Sequence, residues 1–169
     1  MAKKLVQQKI TPCLWFDGQA EKAARFYVKL LPDSRIDRVF RSPADYPDGR
    51  AGSVLTVEFT LAGRSYLGLN GGPRFKFNEA VSFQIRCEDQ AEVDRLWKAL
   101  KKGGEETACG WLKDRWGLSW QIVPRRLEEL IKDPDRGRAK RAMEAMMTMV
   151  KIDIAALEKA ADGGGTSSK

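Results

Sequence analysis

No histidine occurs among the 169 residues, and this removes much of the chemistry a chain of this size usually draws on. A serine or cysteine nucleophile of the usual triad design has no imidazole to take its proton. Cys13, Cys87 and Cys109 form no CxxC pair, so neither a disulfide framework nor a thiolate zinc cluster is indicated. Cys109, with nothing to activate it, reads as a packing thiol. The remaining options are a carboxylate, a lysine or a tyrosine. The candidate catalytic acids are Glu58, inside an alternating segment, and Glu79, just before another. Burial beside aromatics would raise the pKa of Glu58 and make it a general base, whereas an exposed Glu58 is an ordinary strand residue. Asp114 and Arg115 lie on a turn that could reach the mouth of a cavity, and Asp17 with Gly18 reads as the entry to a helix.

The elements that must position these groups are legible from periodicity. Residues 10–16 predict a strand and 19–31 an amphipathic helix, stopped by Pro32 and Asp33. Strands follow over 35–40, 54–61 and 64–70, with a loop over 42–52 and a short Ala62–Gly63 turn. The order then repeats: a strand over 80–87, a helix over 90–102, a strand near 105–109, and a closing hairpin. In that hairpin, 112–116 is read as a polar tip and Gly117 as the tight turn. In the strand 118–123, Leu118, Trp120 and Ile122 share one side, and Ser119, Gln121 and Val123 the other. Pro124 ends it and starts a helix. Two βαβββ units imply an internal duplication. A methionine-rich helix over 138–160 follows, expected to cover a core or a partner subunit.

Composition bounds the partners. The formal charge is +7, with much of the excess over 125–141. That segment carries no aromatic residue, and a base-stacking surface would interleave aromatics with its cations. Nucleic acid is therefore not the expected partner, and a solvated or anion-attracting rim is. No window approaches the roughly 20 apolar residues that span a bilayer. The N-terminal MAKKLVQQKI lacks the apolar centre of a secretory signal. The expectation is a cytoplasmic protein without membrane contact.

Three stretches, ITPCLWFDGQAEKAARFY, LNGGPRFKFNEAVSFQI and CGWLKDRWGLSWQIVP, resemble the PhnB-like branch of the vicinal-oxygen-chelate superfamily, the glyoxalase and bleomycin-resistance fold. The terminal DPDRGRAKRAMEAMMTMVKIDIAALEKA is similar to the tail of that branch. The resemblance implies an α+β fold: two βαβββ modules forming a curved sheet, plus a C-terminal helix. It implies one glyoxalase-like domain over 9–161, with modules over 9–73 and 79–124, a helical extension over 125–161, and flexible termini at 1–8 and 162–169. It also implies a homodimer. Members are also labelled 3-demethylubiquinone 3-methyltransferase-like, yet no GxGxG-type loop follows a strand here and no alternating parallel-sheet pattern is present.

The superfamily's metalloenzymes hold a divalent ion with His, Glu or Gln on four strands. Strand by strand, those places fall on Thr11, Asn70, Ala80 and Gln121. A hydroxyl, two amides and a methyl group carry too little charge for zinc or nickel, so no metal and no cofactor are expected. What remains is a cavity lined by alternation, with Thr11, Trp15, Tyr66, Asn70, Ser82, Gln84 and Gln121 as ligand-binding candidates, and Ser119, Thr56, Glu58 and Arg86 sharing their faces. Val81, Phe83 and Ile85 form the core stripe of the fifth strand. Trp15, Trp111, Trp116 and Trp120 can equally be packing residues, and Trp97 is helix core. The expected activity is binding of a small polar organic molecule. The alternatives are a carboxylate enzyme on the same scaffold, of lyase, dioxygenase or methyltransferase type, or a structural or regulatory partner acting through the basic segment.

Overall fold

The computed structural model describes residues 9–164; the flexible ends expected at 1–8 and 165–169 lie outside them. The chain divides into two compact units with the boundary between Lys76 and Phe77. The first contains β1 (Cys13–Phe16), α1 (Ala20–Tyr27), β2 (Arg35–Arg41), β3 (Val54–Leu61) and β4 (Arg64–Asn70). The second contains β5 (Ser82–Cys87), α2 (Gln90–Leu100), β6 (Glu105–Glu106), β7 (Trp111–Lys113) and β8 (Ser119–Pro124). It continues with α3 (Arg125–Ile131), α4 (Arg136–Met147) and α5 (Ile154–Ala161).

The duplication is visible in the topology. The sheets run β1-β4-β3-β2 and β5-β8-β7-β6. In each, the first and last strands of the module pair in parallel and the rest pair antiparallel. Each sheet packs one face on its helix. In α1 the buried residues are Ala20, Ala23, Ala24 and Tyr27, the i, i+3, i+4, i+7 spacing of a helix face. Gly68 lets α1 lie close to β4, because a Cβ there would meet the Ala20 Cβ at 3.2 Å. In α2, Val93, Leu96, Trp97 and Leu100 play the same part, and the Asp89 carboxylate caps the helix by accepting from the Glu92 N–H.

Several expected elements change under tertiary packing. Leu112 is not on a polar tip: it lies in β7, 1% exposed, opposite Trp120 in the register. The strand expected near 105–109 shrinks to Glu105–Glu106. Val81 precedes β5 and is exposed, so the core stripe there is Phe83, Ile85 and Cys87. The single helix expected over 138–160 is two, α4 and α5. Between them, Met149 and Val150 give their carbonyls to the Cys109 and Gly110 N–H groups (2.7 and 2.8 Å), and the Gln90 side chain holds Ile152 and Ile154. A continuous helix would have consumed those carbonyls. The α3–α5 segment packs Leu127, Leu130, Ala142, Ile152, Leu157 and Ala161 into one cluster with Val123 of β8. Of the end expected to be flexible, 162–164 is held: Asp162 pairs with Arg138, and Gly163 and Gly164 donate to Ala160 and Lys159.

Asp114 organises the β7–β8 turn rather than a cavity mouth. It is 3% exposed, and its carboxylate accepts from the Trp116 N–H (2.8 Å), the Leu118 N–H (3.2 Å) and the Trp120 indole N–H (2.9 Å). Asp114→Ala strips these donors of their shared acceptor; a bond to a charged group is worth about 1.5–3 kcal/mol, and bonds that share one acceptor do not add in full. Urea denaturation should show a loss of about 2–4 kcal/mol, with Asp114→Asn intermediate; a loss within 0.5 kcal/mol of zero, the size of an ordinary surface change, would contradict this role.

Candidate functional site

Because residues opposite one another in a ladder share a face, the strand registers assign every side chain to the helix side or the open side. On the second sheet the open side carries two cross-strand rows. Ser82, Ser119 and Lys113 form one, and Gln84, Gln121 and Trp111 the other. The Gln121 amide donates to the Ser82 hydroxyl at 2.8 Å, tying the rows together. At the far end, Gln84 and Arg86 both donate to Glu128 of α3 (3.3 and 2.9 Å). The Arg86 guanidinium holds the Glu128 carboxyl below the usual carboxylate range. At the near end Lys113 pairs with Glu79. The Lys113 bond lowers the Glu79 pKa, and the Glu79 bond raises that of Lys113. Between these ends lies Ser119, 1% exposed, whose hydroxyl has no hydrogen-bond partner among the described residues.

The first sheet divides differently from the alternation read along β4. Leu14 and Phe16 of β1 lie opposite Gly68 and Asn70, and all face α1. Tyr66 and Asn70 are therefore on the helix side. The Tyr66 ring stacks on Phe59, centroids 5.5 Å apart. Asn70 accepts from the Ala20 N–H and donates to the Val54 carbonyl (2.8 and 2.9 Å), pinning the start of α1 to the sheet. The open side carries Cys13, Trp15, Leu67, Leu69, Thr56 and Glu58. The Trp15 indole donates to the Gly72 carbonyl at 2.8 Å and meets Phe75 edge-on, so the loop after β4 lies on it. Glu58 is exposed beside its cross-strand partner Arg38. Thr11 precedes β1 and is exposed.

Of the ligand-binding candidates, the structure brings Ser82, Gln84 and Gln121 together on one face, leaves Trp15 and Thr11 in the first unit, and turns Tyr66 and Asn70 away. Lys113 and Trp111 join the polar rows, which their reading as parts of a tip and a packing set hid. The signal was the W-L-K alternation before Asp114, which only a pairing strand makes readable.

The four family metal places do not fit a divalent ion. Both ends of the Asn70 amide are bonded to backbone, Ala80 offers a methyl, Thr11 is outside the sheet, and Gln121 is bonded to Ser82. Leu69 stands on the open side of β4 where Asn70 was expected. Among the described residues no three His, Cys, Asp or Glu side chains cluster as a metal site would require. Burial pushes the Cys87 thiol up to about 12, which keeps it protonated and unreactive. The basic segment is largely spent on local pairs: Arg125 with Glu88, Arg126 with Glu129 and Glu158, Arg138 with Asp133, and Arg141 with the Ala160 and Ala161 carbonyls. No helix is long and apolar enough to cross a membrane, among the described residues.

Two modules of order βαβββ, each a four-stranded sheet with a helix on one face, define the glyoxalase and bleomycin-resistance fold. A family model described as 3-demethylubiquinone-9 3-methyltransferase matches residues 8–123. A PhnB protein from Bacillus cereus is 32% identical, with 69% of this chain and 99% of that one covered and a TM-score of 0.63. The chain belongs to this PhnB-like, 3-demethylubiquinone-9 3-methyltransferase-like family. A protein from Pseudomonas aeruginosa, 19% identical over 69% of this chain and 97% of its own, with a TM-score of 0.58, shares the fold. No functionally curated protein matches. The family match ends before α3–α5, so the terminal segment expected to belong to it lies beyond the matched residues.

The Arg86–Glu128 pair that ends the polar face is pH-sensitive. Since the folded Glu128 pKa is lowered, its contribution is complete above the unfolded pKa and is lost as pH falls through the folded value. Arg86→Met should therefore lower the melting temperature at neutral pH and at low salt. The gap from the unmodified protein should close below the ordinary glutamate range. A gap that widens on acidification would contradict the pairing.

Proposed function

We propose that the protein binds a small polar organic molecule on the open face of its second sheet, without a divalent ion, and that it does so as a homodimer. The observation that carries this reading is the Ser119 hydroxyl, buried without a partner in the middle of two polar rows. A buried unpaired hydroxyl costs about 1–3 kcal/mol. A sheet face that keeps one among Ser82, Gln84, Gln121 and Lys113 is suited to a ligand that supplies the missing bond. The half-buried Trp111 at its corner adds an aromatic wall.

Neither acid on which the carboxylate-enzyme alternative depends is buried, and the buried Asp114 is bonded to the β7–β8 turn. Glu58 is exposed, and Lys113 holds the Glu79 carboxyl below the usual range rather than above it. Methyl transfer, in the family's description, finds no glycine-rich donor loop in this chain. Local pairing of the basic segment argues against nucleic acid as a partner. For the homodimer, the seven-residue β2 is an edge strand within its sheet, and its unpaired backbone groups favour a covering partner. Three free cysteines fit a reducing, cytoplasmic setting.

Native mass spectrometry of the purified protein, followed by denaturation, should release a small organic compound and show a dimer. Ser119→Ala should stabilise the empty protein by about 1 kcal/mol, since it removes an unsatisfied group, yet retain less ligand. A stoichiometric transition metal, or retention unchanged by Ser119→Ala and Gln121→Ala, would overturn the reading.

A further inference from the structure

We infer that Glu79 is a resident stand-in for part of the ligand: the molecule bound on this face is a small carboxylic acid whose carboxylate takes the place of Glu79 on Lys113. The inference rests on the reading that this face binds a ligand, and it names the ligand's class. Glu79 belongs to no strand or helix and comes from the segment before β5. Its side chain is 58% exposed, whereas that of Lys113 is 27% exposed. The cation is thus set into the face and the acid hangs from outside it. An exposed ion pair of this kind contributes little net stability, so the acid is free to exchange.

Geometry sets what a replacement gains. Lys113 lies directly opposite Ser119 in the β7–β8 register, and such neighbours have Cβ atoms about 4.5–5.5 Å apart. Glu79 satisfies Lys113 but leaves the Ser119 hydroxyl without a partner. Its backbone tether fixes where its oxygens can go. A free carboxylate has no tether: one oxygen accepts from the Lys113 ammonium and the other from the Ser119 O–H. The rest of the molecule then runs along Ser82, Gln121 and Gln84, with Trp111 as its apolar wall. Glu105, the cross-strand partner of Lys113, is a second carboxylate beside the cation, and a displaced Glu79 turns into solvent, where its charge is screened.

The test is a heteronuclear NMR titration with acetate, and with acetamide as its neutral isostere, following the Trp111 indole N–H. It uses the full-length protein and its Glu79→Gln, Lys113→Met and Glu79→Gln/Ser119→Ala forms. Acetate should bind Glu79→Gln at least about tenfold more tightly than the unmodified protein, a difference of about 1.4 kcal/mol. Adding Ser119→Ala should weaken that binding several-fold. Lys113→Met should abolish it, and acetamide should bind none of them. Equal acetate affinity with and without Glu79, or acetamide matching acetate, overturns the inference. If a neutral compound is retained in native mass spectrometry while Glu79→Gln leaves acetate binding unchanged, the carboxylate assignment fails and the binding reading stands. If neither a retained compound nor acetate perturbs the face, both fail.

Discussion

The parallel pairing of the first and last strands of each module is the constraint on which the rest depends. β1 against β4 and β5 against β8 are formed across long stretches of chain, and their registers decide which side chains meet the helix. A slip of one residue would exchange the two faces of a sheet. In the second module it would bring Ser82, Gln84 and Gln121 against α2 and expose Trp120 and Ile122, both fully buried. The apolar cost of that exchange holds the polar rows in place. Asp114 guards the same register from the other side, because its carboxylate gathers the N–H groups of the β7–β8 turn.

The helical extension is built on the same logic. Its core includes Val123 of β8, and its break between α4 and α5 exists because Met149 and Val150 lend their carbonyls to Cys109 and Gly110. Gly110 is required there: its φ is +82°, and a Cβ would press on Ile152 at 3.0 Å. Through α3 the extension also reaches the polar face, since Glu128 accepts from both Gln84 and Arg86. A segment beyond the family match thereby shapes one end of the candidate site.

The site differs in kind from a metal centre. Its groups are amides, hydroxyls and two ion pairs, whose chemistry is hydrogen bonding and charge rather than coordination. Among the described residues, the Ser119 hydroxyl is the buried side-chain polar atom left without a hydrogen bond, and it lies on this face.

Much of this was legible in the residues alone. The order βαβββ twice over, the strands 54–61 and 64–70, the helix faces, and the grouping of Ser82, Gln84, Ser119 and Gln121 follow from period-2 and period-3.6 patterns, which are local properties of the chain. The absence of histidine settled equally early that imidazole chemistry is not available. Three things were not legible. Tyr66 and Asn70 alternate correctly along β4, but only the partner β1 decides which alternate set faces α1. Leu112 and Lys113 read as a turn because a three-residue strand has too little pattern to announce itself without β8 beside it. The terminal helix breaks only because distant backbone donors claim its carbonyls. Periodicity and composition are carried by the chain itself, so the sequence determined the elements and the available chemistry. Register, facing and the stranded hydroxyl of Ser119 depend on partners far away in sequence, so only the tertiary structure decided them.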